Sequence, residues 1–170
     1  MAKRRRKLLQ TLLMVILSVA IAGLLLTALI GRESLLALVF GPVELTRIDF
    51  RTLTRGTRPN QHLVCPPGFC AATPDAVSPV YEMPATALRD RWMAIIAQQP
   101  RVEQVAVSAD GLQYDFLQRS RLLRFPDTIT VRFIPLDETR STLAAYSRSN
   151  YGHSDFGVNR KRLEAWLTAL

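Results

Sequence analysis

The hydrophobic and polar positions divide the chain into a continuous apolar segment and a longer region with periodic patterns. Residues 8–30 form 23 consecutive positions without a charge, and only Gln10, Thr11, Ser18 and Thr27 are polar. As a helix this segment would span about 34 Å, which exceeds the roughly 30 Å hydrocarbon core of a bilayer. We therefore predict one transmembrane helix at residues 8–30.

A basic cluster precedes this segment, in the flank formed by residues 1–7. It consists of Lys3, Arg4, Arg5, Arg6 and Lys7. The positive-inside rule places this flank in the cytoplasm and the rest of the chain on the exported side. A cleaved signal peptide is the alternative, because Ala20-Ile21-Ala22 has the A-x-A form of a cleavage site. Cleavage there would leave the apolar residues 23–30 as the new terminus, which favours an uncleaved anchor.

Two later segments have the spacing of amphipathic helices. Residues 86–99 carry one apolar stripe and end before Pro100; residues from about 159 to 170 carry another, made of Leu163, Trp166, Leu167 and Leu170. Residues 31–62 contain a short apolar piece, stopped by Gly41-Pro42, and then an extended stretch. We interpret residues 31–62 as a connector between the membrane and a folded domain.

Alternating segments predict the strands of that domain, residues 63–170. A first strand at 77–83 contains Pro79, which is typical of an edge strand. Segments 102–109 and 112–119 flank Asp110-Gly111, a strong hairpin signal. A second pair lies at 128–134 and 142–148. The order strand, helix, four strands, helix indicates an α+β fold: an antiparallel sheet with two helices packed on one face.

The net charge of +8 arises mainly from the N-terminal cluster. Residues 31–170 carry 17 basic and 14 acidic side chains. This small excess, with no zinc finger and no aromatic platform beside it, does not indicate nucleic-acid binding.

The two cysteines, Cys65 and Cys70, flank Pro66-Pro67-Gly68-Phe69. Pro67-Gly68 suits the centre of a type II turn, which would bring the two sulfurs together. In an oxidising compartment we predict a disulfide that stabilises the fold by about 2 kcal/mol. A zinc site made of both cysteines with His62 and His153 is the alternative, but its spacing matches no common pattern. We predict no metal and no cofactor.

The segment from Ser147 to Leu167 concentrates the unusual polar residues. Asp155 or Ser154 is a candidate N-cap of the last helix. We expect an ion pair between Arg148 and Asp155 across the turn, and unusual backbone angles at Gly152 and Gly157.

A sharper hypothesis uses the same segment as an anion site at the helix N-terminus. Arg148, Asn159 and Arg160 would cradle a phosphate or a carboxylate there, and a lipid head group is the obvious source in a chain tethered to a bilayer. The hypothesis is compatible with a structural role of the loop, because a preorganised pocket requires a fixed loop.

Serine, histidine and aspartate side chains in this segment also suggest a hydrolase. Ser149 or Ser154 with His153 would act on an anionic or ester substrate. All candidates lie within nine residues of one another, however, and there is no G-x-S-x-G elbow. We predict no catalytic residue and keep the hydrolase as the alternative.

Several of these motifs resemble a known family. Pro59-Asn60, the cysteine turn, the run RLLRFPDTITVRF from Arg121 to Phe133, and SRSNYGHSDFGVNRKR from Ser147 to Arg162 resemble domain of unknown function 1499. The resemblance covers roughly residues 59–170 and implies a fold and a motif but no mechanism. Many members carry Cys-Val-Ser-Ser after the Pro-Asn, whereas this chain has two alanines after Cys70.

The resemblance to a family of bacteria and plant plastids, taken with the anchor, leads to one functional expectation. The chain is expected to be a non-catalytic binding or accessory module in the bacterial inner membrane. Its periplasmic domain would contact a membrane protein complex or a lipid head group. The predicted anion- or partner-binding residues are Arg148, Ser149, His153, Ser154, Asp155, Asn159 and Arg160.

Overall fold

The computed structural model describes residues 2–170, with the side chain of Ala2 left aside. Of the predicted basic flank, only Met1 lies outside the described residues. The chain divides into two compact units, one ending at Pro42 and one spanning Val43–Leu170. The predicted connector is therefore split between the two units.

The first unit contains two helices, α1 (Ala2–Ile30) and α2 (Arg32–Phe40). Lys3–Ile30 has a mean hydropathy of 2.8 in its most apolar window, and none of that window is buried in the protein. The helix is long and apolar enough to be a membrane anchor or a signal sequence. The hydroxyls of Thr11, Ser18 and Thr27 donate to backbone carbonyls one turn back, which satisfies these polar groups without water.

The second unit contains a six-stranded sheet and two helices. The strands are β1 (Gln61–Cys65), β2 (Ala76–Val77), β3 (Val102–Val107), β4 (Gln113–Arg119), β5 (Pro126–Pro135) and β6 (Ser141–Ser149); the helices are α3 (Ala85–Ala97) and α4 (Val158–Thr168). The strand order is β2-β1-β6-β5-β4-β3. All neighbours are antiparallel except β1 and β2, which are parallel.

The main core joins both helices to the sheet. Trp92 of α3 and Trp166 of α4 meet edge to face, with ring centroids 5.7 Å apart. Both belong to one buried cluster with alternate residues of the central strands, such as Val131 and Phe133 of β5 and Leu143 of β6. The predicted α+β class is confirmed.

The opposite face of the sheet is partly covered by the segment that precedes β1. Phe50 and Leu53 are buried against Leu63 and Tyr146. Gln113 on β4 donates from Nε2 to the Ile48 carbonyl oxygen at 2.8 Å. Residues 43–58 therefore form part of the folded unit.

The first two strands differ from the sequence-based prediction. β1 was not predicted, because its apolar run Leu63-Val64-Cys65 is buried on both faces and does not alternate. The predicted strand at 77–83 is reduced to the two residues of β2 and a bridge from Tyr81 to Ser141, since Pro79 lacks the N–H that a ladder requires.

The disulfide between Cys65 and Cys70 is formed, with Cα atoms 6.3 Å apart. Cys65 is buried in the cluster that Phe50 and Leu53 form with the sheet, on the face opposite the two helices. Both sulfurs are bonded to each other, so the alternative zinc site with His62 and His153 is not formed.

Candidate functional site

A buried polar network fastens the start of α4 to the sheet, and Asn159 lies at its centre. The side chain of Asn159 is fully buried. Its amide nitrogen donates to the Asn60 carbonyl oxygen at 3.0 Å, to Ser149 Oγ at 3.1 Å and to Asp155 Oδ2 at 2.8 Å. One amide thus connects the residue before β1, the end of β6 and the loop that leads into α4.

Arg162, one turn further along α4, holds the other side of the network. Its Nη1 donates to Ser147 Oγ at 2.8 Å and to Asn159 Oδ1 at 2.5 Å. Nη2 donates to Asp127 Oδ2 and Nε to Gln118 Oε1, each at 2.5 Å. The Arg162 and Asp127 side chains are only 7% and 13% exposed. All three guanidinium nitrogens are therefore occupied inside the protein.

Gly157 occupies the N-cap position of α4, so neither predicted N-cap candidate, Asp155 or Ser154, lies there, but the Asp155 side chain accepts backbone N–H groups at the start of the helix. Its Oδ1 accepts the Gly157 N–H at 3.0 Å and its Oδ2 accepts the Asn159 N–H at 2.7 Å. Burial alone would raise the pKa of Asp155, but these hydrogen bonds outweigh it and hold the pKa below its usual value. Gly152 and Gly157 have φ of 84° and 77°, so the prediction of unusual backbone angles is confirmed.

Arg148 does not pair with Asp155, so the predicted ion pair was wrong. Successive residues of a strand point to opposite faces. Ser147 and Ser149 face α4, whereas Arg148 lies with Tyr146 on the other face, its guanidinium carbon 5.6 Å from the Tyr146 ring centroid. Asp155 is instead held by the backbone of α4 and by Asn159.

Arg148 lines a pocket of about 340 Å³ at the end of β6. Its walls also include Arg58, Gln61, Tyr146 and the acidic Glu44. The Tyr146 hydroxyl donates to Gln61 Oε1, and Gln61 Nε2 donates to the Arg58 carbonyl oxygen at 3.0 Å. Arg148 Nη2 is buried and has no hydrogen-bond partner among the described residues. The pocket therefore has a fixed wall and an unused cationic donor.

A cavity of about 390 Å³ beside the disulfide loop has a different character. Its two arginines are already engaged. Arg51 lies 5.1 Å from the Phe69 ring centroid, and Arg132 pairs with Asp110 at 2.6 Å. Its cations offer less to an incoming anion than Arg148 does.

The predicted cradle of Arg148, Asn159 and Arg160 is not assembled by the fold. Asn159 is fully buried, and Arg160 is exposed and donates from Nε to Glu164 Oε1 at 2.7 Å. Ser149 belongs to the network and also lines the Arg148 pocket. His153 and Ser154 are exposed in the turn between β6 and α4.

The sequence-based prediction missed Arg162, Asp127 and Asn60 as members of the network. Helical spacing is a signal that identifies Arg162, because residues 159, 162, 163 and 166 share one face of α4. Asp127 and Asn60 reach the network only because β5 and β1 pair with β6. Local sequence patterns do not predict that pairing.

His62 is a buried titratable group beside this network. It pairs across the sheet with Ser147, and its Nδ1 lies 3.6 Å from Asp75 Oδ2. Nε2 is buried without a hydrogen-bond partner among the described residues. Burial lowers the pKa of His62 and outweighs the opposing charges of Asp75 and Glu164, while Arg160 and Arg55 lower it further.

We expect the domain to lose stability as the pH falls below about 6.5, the ordinary histidine pKa. Burial in the folded state lowers the pKa of His62 and favours its neutral form. The stabilising contribution of neutral His62 is therefore complete above a pH of about 6.5 and is lost as the pH falls through the lower pKa of the folded state. His62→Gln should flatten the dependence of unfolding free energy on pH between about 7.5 and 5. The exposed His153→Gln is the matched control and should keep the wild-type profile; an unchanged profile in His62→Gln would contradict this expectation.

Comparison with known proteins identifies a family but no described relative. The profile of the family "Protein of unknown function (DUF1499)" matches residues 44–170. No curated protein matches the chain, and no solved structure matches it. The matched region covers the whole sheet, both helices of the second unit and the polar network. The chain therefore belongs to the family of proteins of unknown function DUF1499.

Proposed function

We propose that the chain is a membrane-anchored binding module of the bacterial inner membrane, with its second unit in the periplasm. The Arg148 pocket would hold a carboxylate or phosphate group of a membrane partner, and the protein would serve as an accessory subunit. The observation that carries the proposal is the buried Nη2 of Arg148, which has no hydrogen-bond partner in the described part of the chain.

The character of α1 supports the anchor. Its apolar residues are exposed, which is unfavourable in water and favourable in a bilayer. The basic residues that precede the apolar stretch favour a cytoplasmic N-terminus. The disulfide fits an oxidising compartment such as the periplasm.

The geometry of the pocket supports an anionic ligand. Buried donors in proteins are nearly always hydrogen-bonded, so a guanidinium that lines a pocket and has one buried nitrogen without a partner is suited to an acceptor from a ligand. Carboxylates and phosphates match the planar guanidinium particularly well. Glu44 also lines the pocket and opposes multiple negative charge, which favours a small anion.

The serine residues support binding rather than hydrolysis. Ser149 Oγ accepts from Asn159 Nδ2 at 3.1 Å, and the neighbouring Ser147 hydroxyl donates to Asn159 Oδ1 at 2.6 Å, so both serines are already engaged inside the protein. His153 is exposed, and a nucleophile requires a base within hydrogen-bond reach. Ser154 Oγ accepts the N–H of Phe156 at 3.3 Å within its own turn.

Arg148→Gln is expected to weaken binding of the partner about 10- to 100-fold, because charge-assisted hydrogen bonds contribute roughly 1.5–3 kcal/mol. The full-length protein would be purified from native membranes in mild detergent, and co-purifying proteins and lipids quantified by mass spectrometry. Acetate and inorganic phosphate would serve as defined probes in thermal-shift titrations.

Arg160→Gln is the matched control, since Arg160 is exposed and lies outside the pocket. A protein or lipid retained by the wild type and by Arg160→Gln, but lost from Arg148→Gln, supports the proposal. Identical co-purification and identical anion responses in the two variants would refute the pocket as the binding site. Ester hydrolysis that the wild-type protein catalyses and that His153→Ala does not would favour the hydrolase instead.

A further inference from the structure

Two loops adjoin at one end of the sheet, residues 120–125 between β4 and β5 and residues 150–157 between β6 and α4. The strand register brings them together, because Arg119 pairs with Pro126 and Asp127 pairs with Ser149. The rings of Phe125 and Tyr151 meet edge to face at 6.2 Å. We call these two loops the loop edge.

The loop edge exposes large apolar side chains. Leu122, Leu123 and Phe156 are 77%, 61% and 90% exposed. Phe156 also has φ of 54°, a left-handed conformation that is unfavourable for a bulky side chain. Exposed apolar residues on adjoining loops indicate a contact surface. The strained backbone at Phe156, one of these residues, also indicates a functional role for its exposed ring.

The same edge is strongly basic. Arg119, Arg121 and Arg124 lie within six residues, and residues 116–126 contain no acidic side chain. Asp155 in the second loop and Asp127 at the start of β5 are engaged in the buried network, and the acidic Glu44 lies beside Asn150 at this edge. The edge thus combines apolar tips with cationic flanks, as interfacial membrane segments do.

The chain enters the second unit at this edge. The Glu44 N–H donates to Asn150 Oδ1 at 2.9 Å, and its carbonyl oxygen accepts from Thr128 Oγ1 at 3.3 Å. Asn150 follows β6 directly and Thr128 lies near the start of β5. Between Ile30 and Val43 lie residues 31–42, of which nine form α2, so the link spans no more than about 30 Å.

We infer that the loop edge docks on the surface of an anionic lipid bilayer, with Leu122, Leu123 and Phe156 in the interface and the arginines at the head groups. The inference rests on the proposed membrane anchor, because the short link keeps this end of the sheet near the bilayer into which α1 inserts. Apolar insertion and attraction to anionic lipid act together at such a surface.

The test uses full-length protein with one introduced cysteine, the native disulfide being intact. Leu122→Cys, Leu136→Cys and Leu13→Cys would each carry an environment-sensitive fluorophore. Leu136 is the matched control, since it follows β5 at the opposite end of the sheet. Leu13 reports insertion of α1. The proteins would be reconstituted into vesicles of phosphatidylcholine and phosphatidylglycerol in equal parts, with brominated acyl chains as the quencher.

We expect quenching at position 122 to exceed that at position 136 several-fold. Arg121→Glu should reduce the quenching at 122, whereas Arg91→Glu on the exposed side of α3 should not. Equal quenching at 122 and 136, or a 122 label that stays in water while the Leu13 label is quenched, overturns the docking of the loop edge. A Leu13 label that stays in water overturns the anchor and the docking together.

Two further variants test whether docking depends on the exposed ring of Phe156 and whether it is independent of the Arg148 pocket. Phe156→Asn keeps a residue that tolerates the left-handed conformation and removes the exposed ring, so it should lower quenching at 122 without unfolding the domain. Arg148→Gln removes the cation of the proposed anion pocket and should leave quenching at 122 unchanged. A loss of docking in Arg148→Gln equal to that in Arg121→Glu would overturn the assignment to the loop edge.

Discussion

Replacing Arg162 by methionine is expected to lower the free energy of unfolding of the second unit by about 3–5 kcal/mol, the usual cost of leaving a buried charge without its partner. The side chain of Arg162 is 7% exposed and its three nitrogens donate to four acceptors. Methionine fills a similar volume, so the loss measures the polar interactions more than a cavity. Asp127 would remain buried without its cation.

Arg160→Met is the control on the same helix. Arg160 and Glu164 are 68% and 52% exposed, so solvent screens this i, i+4 ion pair and it contributes little to stability. The protein's two tryptophans, Trp92 and Trp166, are both in the core of the second unit. Their fluorescence during denaturant titration of the full-length protein in detergent therefore reports unfolding of that unit alone. Similar losses in Arg160→Met and Arg162→Met would show that the network does not determine stability.

A double-mutant cycle sharpens the test. Asp127→Asn alone should be strongly destabilising, because Arg162 loses its charged partner. The combination of Arg162→Met with Asp127→Asn should cost less than the sum of the two single changes, since each removes the same interaction. Additive losses would indicate that the 2.5 Å contact between Arg162 and Asp127 contributes little.

Arg148 and Arg162 show which side-chain positions local sequence patterns can predict and which they cannot. The SRSNYGHSDFGVNRKR segment contains several arginines, and nearness along the chain suggested Arg148 as the partner of Asp155. Alternation along β6 instead turns Arg148 away from α4. The helical period turns Arg162 inward with Asn159 and Trp166, a relation that the sequence alone contained.

Other parts of the fold were predictable because their signals are local. The apolar stripes of α3 and α4, the two hairpins and the disulfide turn each depend on residues close together in the chain. β1 depends on distant partners: it pairs with β6, and its buried run has no alternation. The Arg148 pocket has the same origin, since its walls come from Glu44, residues 56–61 and the end of β6.

Asn159→Ala is expected to destabilise the second unit by about 3 kcal/mol or more, because it leaves several buried groups without partners at roughly 1–3 kcal/mol each. The Asn60 carbonyl oxygen and Asp155 would lose a donor, and the Ser147 hydroxyl would lose its acceptor. The cost of the volume lost on replacing asparagine by alanine is small compared with the cost of these unpaired polar groups. Denaturant titration followed by tryptophan fluorescence gives the free energy.

Asn159→Asp separates hydrogen bonding from packing. Aspartate has the same shape as asparagine, so a site that required only volume would tolerate it. It would place a carboxylate oxygen where Nδ2 now donates, 2.8 Å from Asp155 Oδ2 and 3.0 Å from the Asn60 carbonyl oxygen. Repulsion at both contacts should make Asn159→Asp at least as destabilising as Asn159→Ala at neutral pH. If Asn159→Asp retained wild-type stability, the amide donor would not be what fastens α4 to the sheet, and the network would have to be explained by packing alone.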